Sequence, residues 1–135
     1  MLPRDHRLTD SRDFSAVMRR GTRAGTSAAV VTVLLREHGD HDAGREKTRW
    51  RGGFVVSKAV GNAVVRHRTQ RRLRHILREL MEEPGMLPEG GAADVVVRAL
   101  KESPETAHDQ LRAEVRSGLR RALKKAQRQR SGSDA

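Results

Sequence analysis

Residues 63–81, AVVRHRTQRRLRHILRELM, constrain the fold more than any other stretch, because one helix there must serve two opposed surfaces. At 100° per residue, Val65, Thr69, Leu73, Ile76, Leu77 and Leu80 share one flank, and that flank needs a core to lie on. Arg68, Arg71, Arg72, Arg74 and Arg78, with His67 and His75, fall on the other. Gly61 permits a sharp turn and Asn62 is a good N-cap, so the helix is expected from Ala63 to about Met81, with Pro84 and Gly85 ending it. Surface helices usually interleave acids and bases at i,i+4, each pair contributing about a few tenths of a kcal/mol. Arg68 with Arg72, and Arg74 with Arg78, are like-charge pairs at that spacing and cost a similar amount.

The repulsion is concentrated in one block. Of the net charge of +11, residues 1–46 contribute 8 basic and 7 acidic groups, residues 47–78 contribute 10 and 0, and residues 79–135 contribute 10 and 10. A device for general solubility would be spread over the surface, whereas a concentrated field attracts a polyanion. Phosphates would relieve the repulsion and would also find the free N–H groups and positive dipole end at the start of the helix. Nucleic acid is therefore the expected partner, through arginines that outnumber lysines 23 to 5. RNA is favoured over DNA: no zinc finger, homeodomain or basic zipper is present, and the helix lies between strands. A membrane-surface role is not expected, since the apolar flank lacks Trp and Phe and is needed by the core.

The chain of 135 residues is about one domain, and without cysteine its stability comes from packing. The charged start MLPRDHRLTD and the lack of a long apolar run imply a soluble, cytoplasmic protein. RLTDSRDFSAVMRRG reads as a short helix capped by Thr9 or Ser11 and ended by Gly21. SAAVVTVLLRE and WRGGFVVS read as strands joined as a hairpin by the polar segment HGDHDAGREK. ADVVVRAL fits a buried strand, and residues 103–130 a last helix capped by Ser103, with the stripe Ala107, Leu111, Val115, Leu119, Leu123 and Ala126 facing the sheet. The sum is one α+β domain over residues 1–130, followed by a tail at 131–135 read as disordered. Its small, mostly antiparallel sheet shows three strands, with room for a short fourth, and helices pack against it.

Three features carry little chemistry. The segment EHGDHD offers Glu37, His38, Asp40, His41 and Asp42 without closed ligand spacing, so no metal site is expected. The Gly52-Gly53 pair lacks the pattern of a phosphate loop. No serine, histidine and acid arrangement suggests a protein catalytic site.

The stretch SKAVGNAVVRHRTQRRLR resembles the basic signature of the protein component of bacterial ribonuclease P, and RLTDSRDFSAVMRRG resembles that family's first helix. The resemblance covers residues 7 to about 125. It implies that a large RNA subunit performs catalysis with magnesium, while the protein holds no cofactor of its own and assists removal of the 5′ leader from precursor tRNA. It further implies contacts to the RNA subunit from Lys58, Asn62, Arg66, Arg68, Arg71, Arg72 and Arg74, and a leader cleft containing Phe14, with Met18 and Thr32 where other members carry aromatic rings. His67 stands where asparagine is usual and Gln70 where lysine is usual. The family's strand-helix-strand crossover is left-handed. From the residues alone, a structural rRNA-binding or ribosome-assembly protein remains the alternative.

Overall fold

The computed structural model describes Leu2, residues 6–37 and residues 49–133. Helix α1 (Ser11–Arg20) is followed by strands β1 (Thr22–Gly25), β2 (Ala29–Glu37) and β3 (Trp50–Val55), helix α2 (Ala63–Met81), strand β4 (Gly91–Ala99) and helix α3 (His108–Ser133). Short 3-10 turns at Lys58–Val60 and Ser103–Glu105 precede α2 and α3. The strands form one mixed sheet in the order β1-β2-β4-β3, antiparallel except for the β3–β4 pair.

The expected hairpin between 27–37 and 50–57 is not formed. β4 lies between those two strands, antiparallel to β2 and parallel to β3. Its residues 92–97 are all buried, and so apolar a run takes the centre of the sheet, where both rows of backbone groups find partners. β2 instead forms its hairpin with the short β1, the fourth strand. β3 is left at an edge, where Leu8 N–H donates to the Gly52 carbonyl at 2.9 Å and the N-terminal segment covers part of it.

The two strand glycines are required by packing on opposite faces. A Cβ on Gly52 would come within 2.6 Å of Leu77 Cδ2, and one on Gly53 within 3.0 Å of the Phe14 ring. Side chains alternate across a strand, so α2 seats on one face and α1 on the other. The larger core joins Val31, Val33, Val95 and Val97 of the sheet to Leu73, Ile76, Leu77 and Leu80 of α2 and Leu111, Val115 and Leu119 of α3. Leu8, Val17 and Val96 form a smaller cluster beneath α1.

Three local expectations change. α1 is capped by Asp10, whose Oδ1 accepts from Arg12 N–H at 2.8 Å, rather than by Thr9 or Ser11. Ser103 belongs to the 3-10 turn, where its hydroxyl donates to the Leu100 carbonyl at 2.7 Å, and α3 begins five residues later. α3 also continues to Ser133, into the segment read as a tail. On α3, Glu114 accepts from Ser27 Oγ at 2.6 Å, Ala28 N–H at 3.0 Å and Gln110 Nε2 at 3.0 Å. The Ser27 bond, aided by the others, holds its carboxyl below the usual carboxylate range and closes the β1–β2 turn onto α3.

Candidate nucleic-acid interface

The start of α2 is built by two residues. Gly61 has φ 155° and ψ −169°, a region open essentially to glycine, and a Cβ there would lie 2.8 Å from Val65 Cγ1. Asn62 follows in extended conformation, and its Oδ1 accepts from Val65 N–H at 3.0 Å. Asn62 thus caps the helix as the sequence suggests. Lys58 is exposed on the preceding turn, and no acid occupies the first turn of the helix.

Along α2 the cations sort into three groups. Arg68 and Arg71 are exposed, and neither has a hydrogen-bond or acidic partner among the described residues. Arg66, Gln70 and Arg74 repeat every fourth residue and are half-buried along the flank facing β3. The Arg66 Nε atom is buried without a partner. The third group is engaged within the protein. Arg72 donates to the Ser103 carbonyl at 3.2 Å and to the Thr106 carbonyl at 2.6 Å, closing the turn before α3, while Arg78 lies 3.5 Å from Glu82.

The Arg66–Gln70–Arg74 row overlooks two adjoining clefts that share Phe54 and Gln70. One, of about 230 Å³, lies between Phe54, Val56 and the first turns of α2, bounded by Arg66 and His67. The other, of about 310 Å³, is bounded by Arg7, Thr9, Phe14, Phe54 and Arg74 over the β3 glycines. Phe14 is half-buried, its ring against Gly53, and also borders an open depression on α1 with Met18, which is 38% exposed. Thr32 stands apart from this surface. It is 2% exposed, and its methyl would lie 2.7 Å from a Cβ on Gly21, so it packs beneath the end of α1 instead of lining an open cleft.

The α1 face of the sheet holds a charge network absent from the sequence reading. Asp94 on β4, 3% exposed, accepts from Arg51 on β3 through Nε at 2.9 Å and Nη2 at 2.7 Å, and from Arg36 Nε on β2 at 3.2 Å. Arg51 also donates to Asp13 of α1 at 3.0 Å. The hydrogen bonds that Arg51 donates to Asp94, with the fields of both acids, raise the Arg51 pKa further above its ordinary value. The signal was a lone acid inside an apolar run, since a buried charge needs a partner. Phe54 and Arg7 carry no comparable signal, because only the tertiary arrangement brings them to the cleft.

Among the described residues no cluster of three or more His, Cys, Asp or Glu side chains is arranged to hold a metal, and no helix is long and apolar enough to cross a membrane. The EHGDHD segment lies outside the described residues, apart from the backbone of Glu37.

A sheet carrying α1 on one face, with a basic helix beside an aromatic cleft at one edge, defines a small α+β domain with one strongly basic face. The family model described as Ribonuclease P matches residues 2–123. The chain is 42% identical to the ribonuclease P protein component of Streptomyces avermitilis over 123 residues, covering 91% of this chain and 96% of that protein. It is also 42% identical to that of Corynebacterium diphtheriae, covering 88% and 94%. The solved ribonuclease P protein of Thermotoga maritima superposes with a TM-score of 0.63 at 26% identity, covering 85% of this chain and 96% of that one. The chain belongs to the family of the ribonuclease P protein component, the protein subunit of a tRNA-processing ribonuclease. Membership implies a ribonuclease P RNA as its partner.

Proposed function

We propose that the exposed and cleft-facing cations of α2 bind phosphates of the ribonuclease P RNA, and that the adjoining cleft takes the unpaired 5′ leader of precursor tRNA. The observation that carries this reading is the lack of an acidic partner for Lys58, Arg66, Arg68, Arg71 and Arg74 among the described residues, beside a cleft lined by Phe14 and Phe54. Phosphate contacts would fix the position of the strand, and bases would stack on the two rings without strong sequence preference. The buried Arg66 Nε lacks an acceptor among the described residues, a need that costs free energy until it is met. Asn62 acts by positioning, since its side-chain oxygen is used by the cap. Arg72 is assigned to the fold, and Thr32 to the packing beneath α1.

In this reading the protein supplies binding and no catalytic side chain, while the RNA subunit uses magnesium in the cytoplasm. The test is reconstitution with the cognate RNA. Protein alone should cleave nothing, whereas its addition should lower the magnesium requirement and increase the preference for leader-bearing over leaderless tRNA. Unchanged magnesium dependence together with equal affinity for the two tRNAs would defeat the proposal.

A further inference from the structure

A run of basic residues with no acid interleaved in the sequence also occurs at the end of α3. From Arg120 to Arg130 the sequence holds six basic residues and no acid, and none occurs anywhere from residue 115 to 133. Ala122, Leu123 and Ala126 are buried, so the cations occupy the remaining face, where Arg120, Arg121, Lys124, Lys125 and Arg128 are exposed. Arg120, Lys124 and Arg128 repeat at i,i+4 and repel one another as the α2 arginines do. Lys124, Lys125 and Arg128 lie beyond residue 123, where the family match ends.

These turns lie along β1, at the sheet edge opposite β3. Arg121 Nη2 donates to the Gly25 carbonyl at 2.8 Å, and Thr22 Oγ1 donates to Gln129 Oε1 at 3.1 Å. Residues 121, 125 and 129 share one row of the helix, so the two contacts put Lys125 opposite the middle of β1. Thr22 itself sits between the exposed Arg20, which ends α1, and the exposed Arg23. Residues 14–36 include no acid to neutralise them. The exposed positions of α3 from 120 to 129 are Arg, Lys and Gln, without an aromatic ring, which suits phosphate contact and not base readout.

Protection of an exposed edge strand accounts for a charge such as Arg23. It does not account for Lys124 and Arg128, which lie one position off the row facing β1. We propose that Lys124, Lys125 and Arg128 form a second RNA-contact surface, gripping phosphates at the sheet edge away from α2. This rests on the reading that the partner is RNA. The strand belongs to the ribonuclease P RNA, the partner that family membership implies, since the cleft proposed for the leader lies at the opposite, β3 edge of the sheet.

The experiment compares the wild type with a Lys124→Ala, Lys125→Ala, Arg128→Ala variant and with an Arg68→Ala, Arg71→Ala variant. Salt dependence is measured in two titrations: protein with the RNA subunit, and reconstituted holoenzyme with precursor tRNA. Three lost phosphate contacts should make the slope of log K against log salt shallower by about 2. The change is expected in the titration with the RNA subunit; a change confined to the titration with precursor tRNA would overturn the proposal. Alanine favours helix, and a Lys124→Arg, Lys125→Arg, Arg128→Lys variant should keep the wild-type slope. Loss of slope in that charge-preserving variant would mean that charge is not the cause and would overturn the proposal. So would unchanged slopes for the alanine variant in both titrations while the α2 variant responds. If the α2 variant is also unresponsive, the RNA-binding reading of α2 fails as well.

Discussion

Arg51 and Arg68 are the same side chain 17 residues apart, both within the acid-free block of residues 47–78, and the fold treats them in opposite ways. Arg51 is closed in by Asp94 and Asp13, its forked guanidinium meeting Asp94 twice. Arg68 extends from α2 with no partner among the described residues. The same contrast separates Arg36 from Arg71, since the first is bound to Asp94 and the second is exposed. Net charge alone therefore overstates what the block offers a ligand. An arginine that crosses strands to a buried acid serves architecture, and one that repels its own helix neighbours is available for phosphate.

The largest effect on stability should come from breaking the closed group. Asp94→Ala leaves Arg51 and Arg36 without their shared acceptor in a partly buried site, where removal of one member of a buried charge pair costs about 3–5 kcal/mol. Denaturant unfolding should show that loss as a fall in midpoint. The folded fraction should still bind RNA with an unchanged salt slope, because no phosphate contact is removed. A variant as stable as the wild type would dissolve the distinction between closed and open arginines.

Arg72 is the sharper case, because its position in the basic signature groups it with Arg68 and Arg71 while its contacts group it with Arg51. Its two donations to the carbonyls of Ser103 and Thr106 hold the turn that delivers the chain into α3. Hydrogen bonds made by charged groups are worth roughly 1.5–3 kcal/mol each, and partial exposure puts Arg72→Ala near the lower end of that range. Thermal unfolding should register it. The salt slope for RNA should change far less than in Arg68→Ala, and an equal change would return Arg72 to the RNA-contact group.

α2 was legible from Ala63 to Met81 because everything that defines it is local: the cap Asn62, the glycine before it and an apolar flank at helical spacing. Of its buried residues, Thr69, Leu73, Ile76, Leu77 and Leu80 were on the flank read from the sequence, and Met81 was not. Strand pairing was not legible in the same way. β2 and β3 each looked like a strand, but which strand separates them depends on β4, about 40 residues beyond β3. Period-two patterning fixes which face a side chain takes and says nothing about the neighbour. The site divided along the same line. The exposure of Arg68 and Arg71 followed from a helical wheel, whereas the burial of Thr32, the engagement of Arg72 and the place of Phe54 in the cleft arise from contacts between elements distant in sequence. The hand of the β3-α2-β4 crossover has no residue signature at all.

The smallest effect on the fold should be the most informative about function. Arg68→Ala with Arg71→Ala removes two exposed charges that make no hydrogen bond or ion pair among the described residues, and it frees Arg72 from a like charge one turn away. Stability should stay constant or rise by about a few tenths of a kcal/mol, with alanine's helix preference contributing in the same direction. Binding to the ribonuclease P RNA should nevertheless weaken, and its salt slope should become shallower by about 0.7–0.9 for each arginine. Stability and affinity would then move in opposite directions under one substitution, as expected where a helix retains repulsion that only its partner relieves. A loss of stability with an unchanged slope would instead place both arginines in the closed group with Arg51.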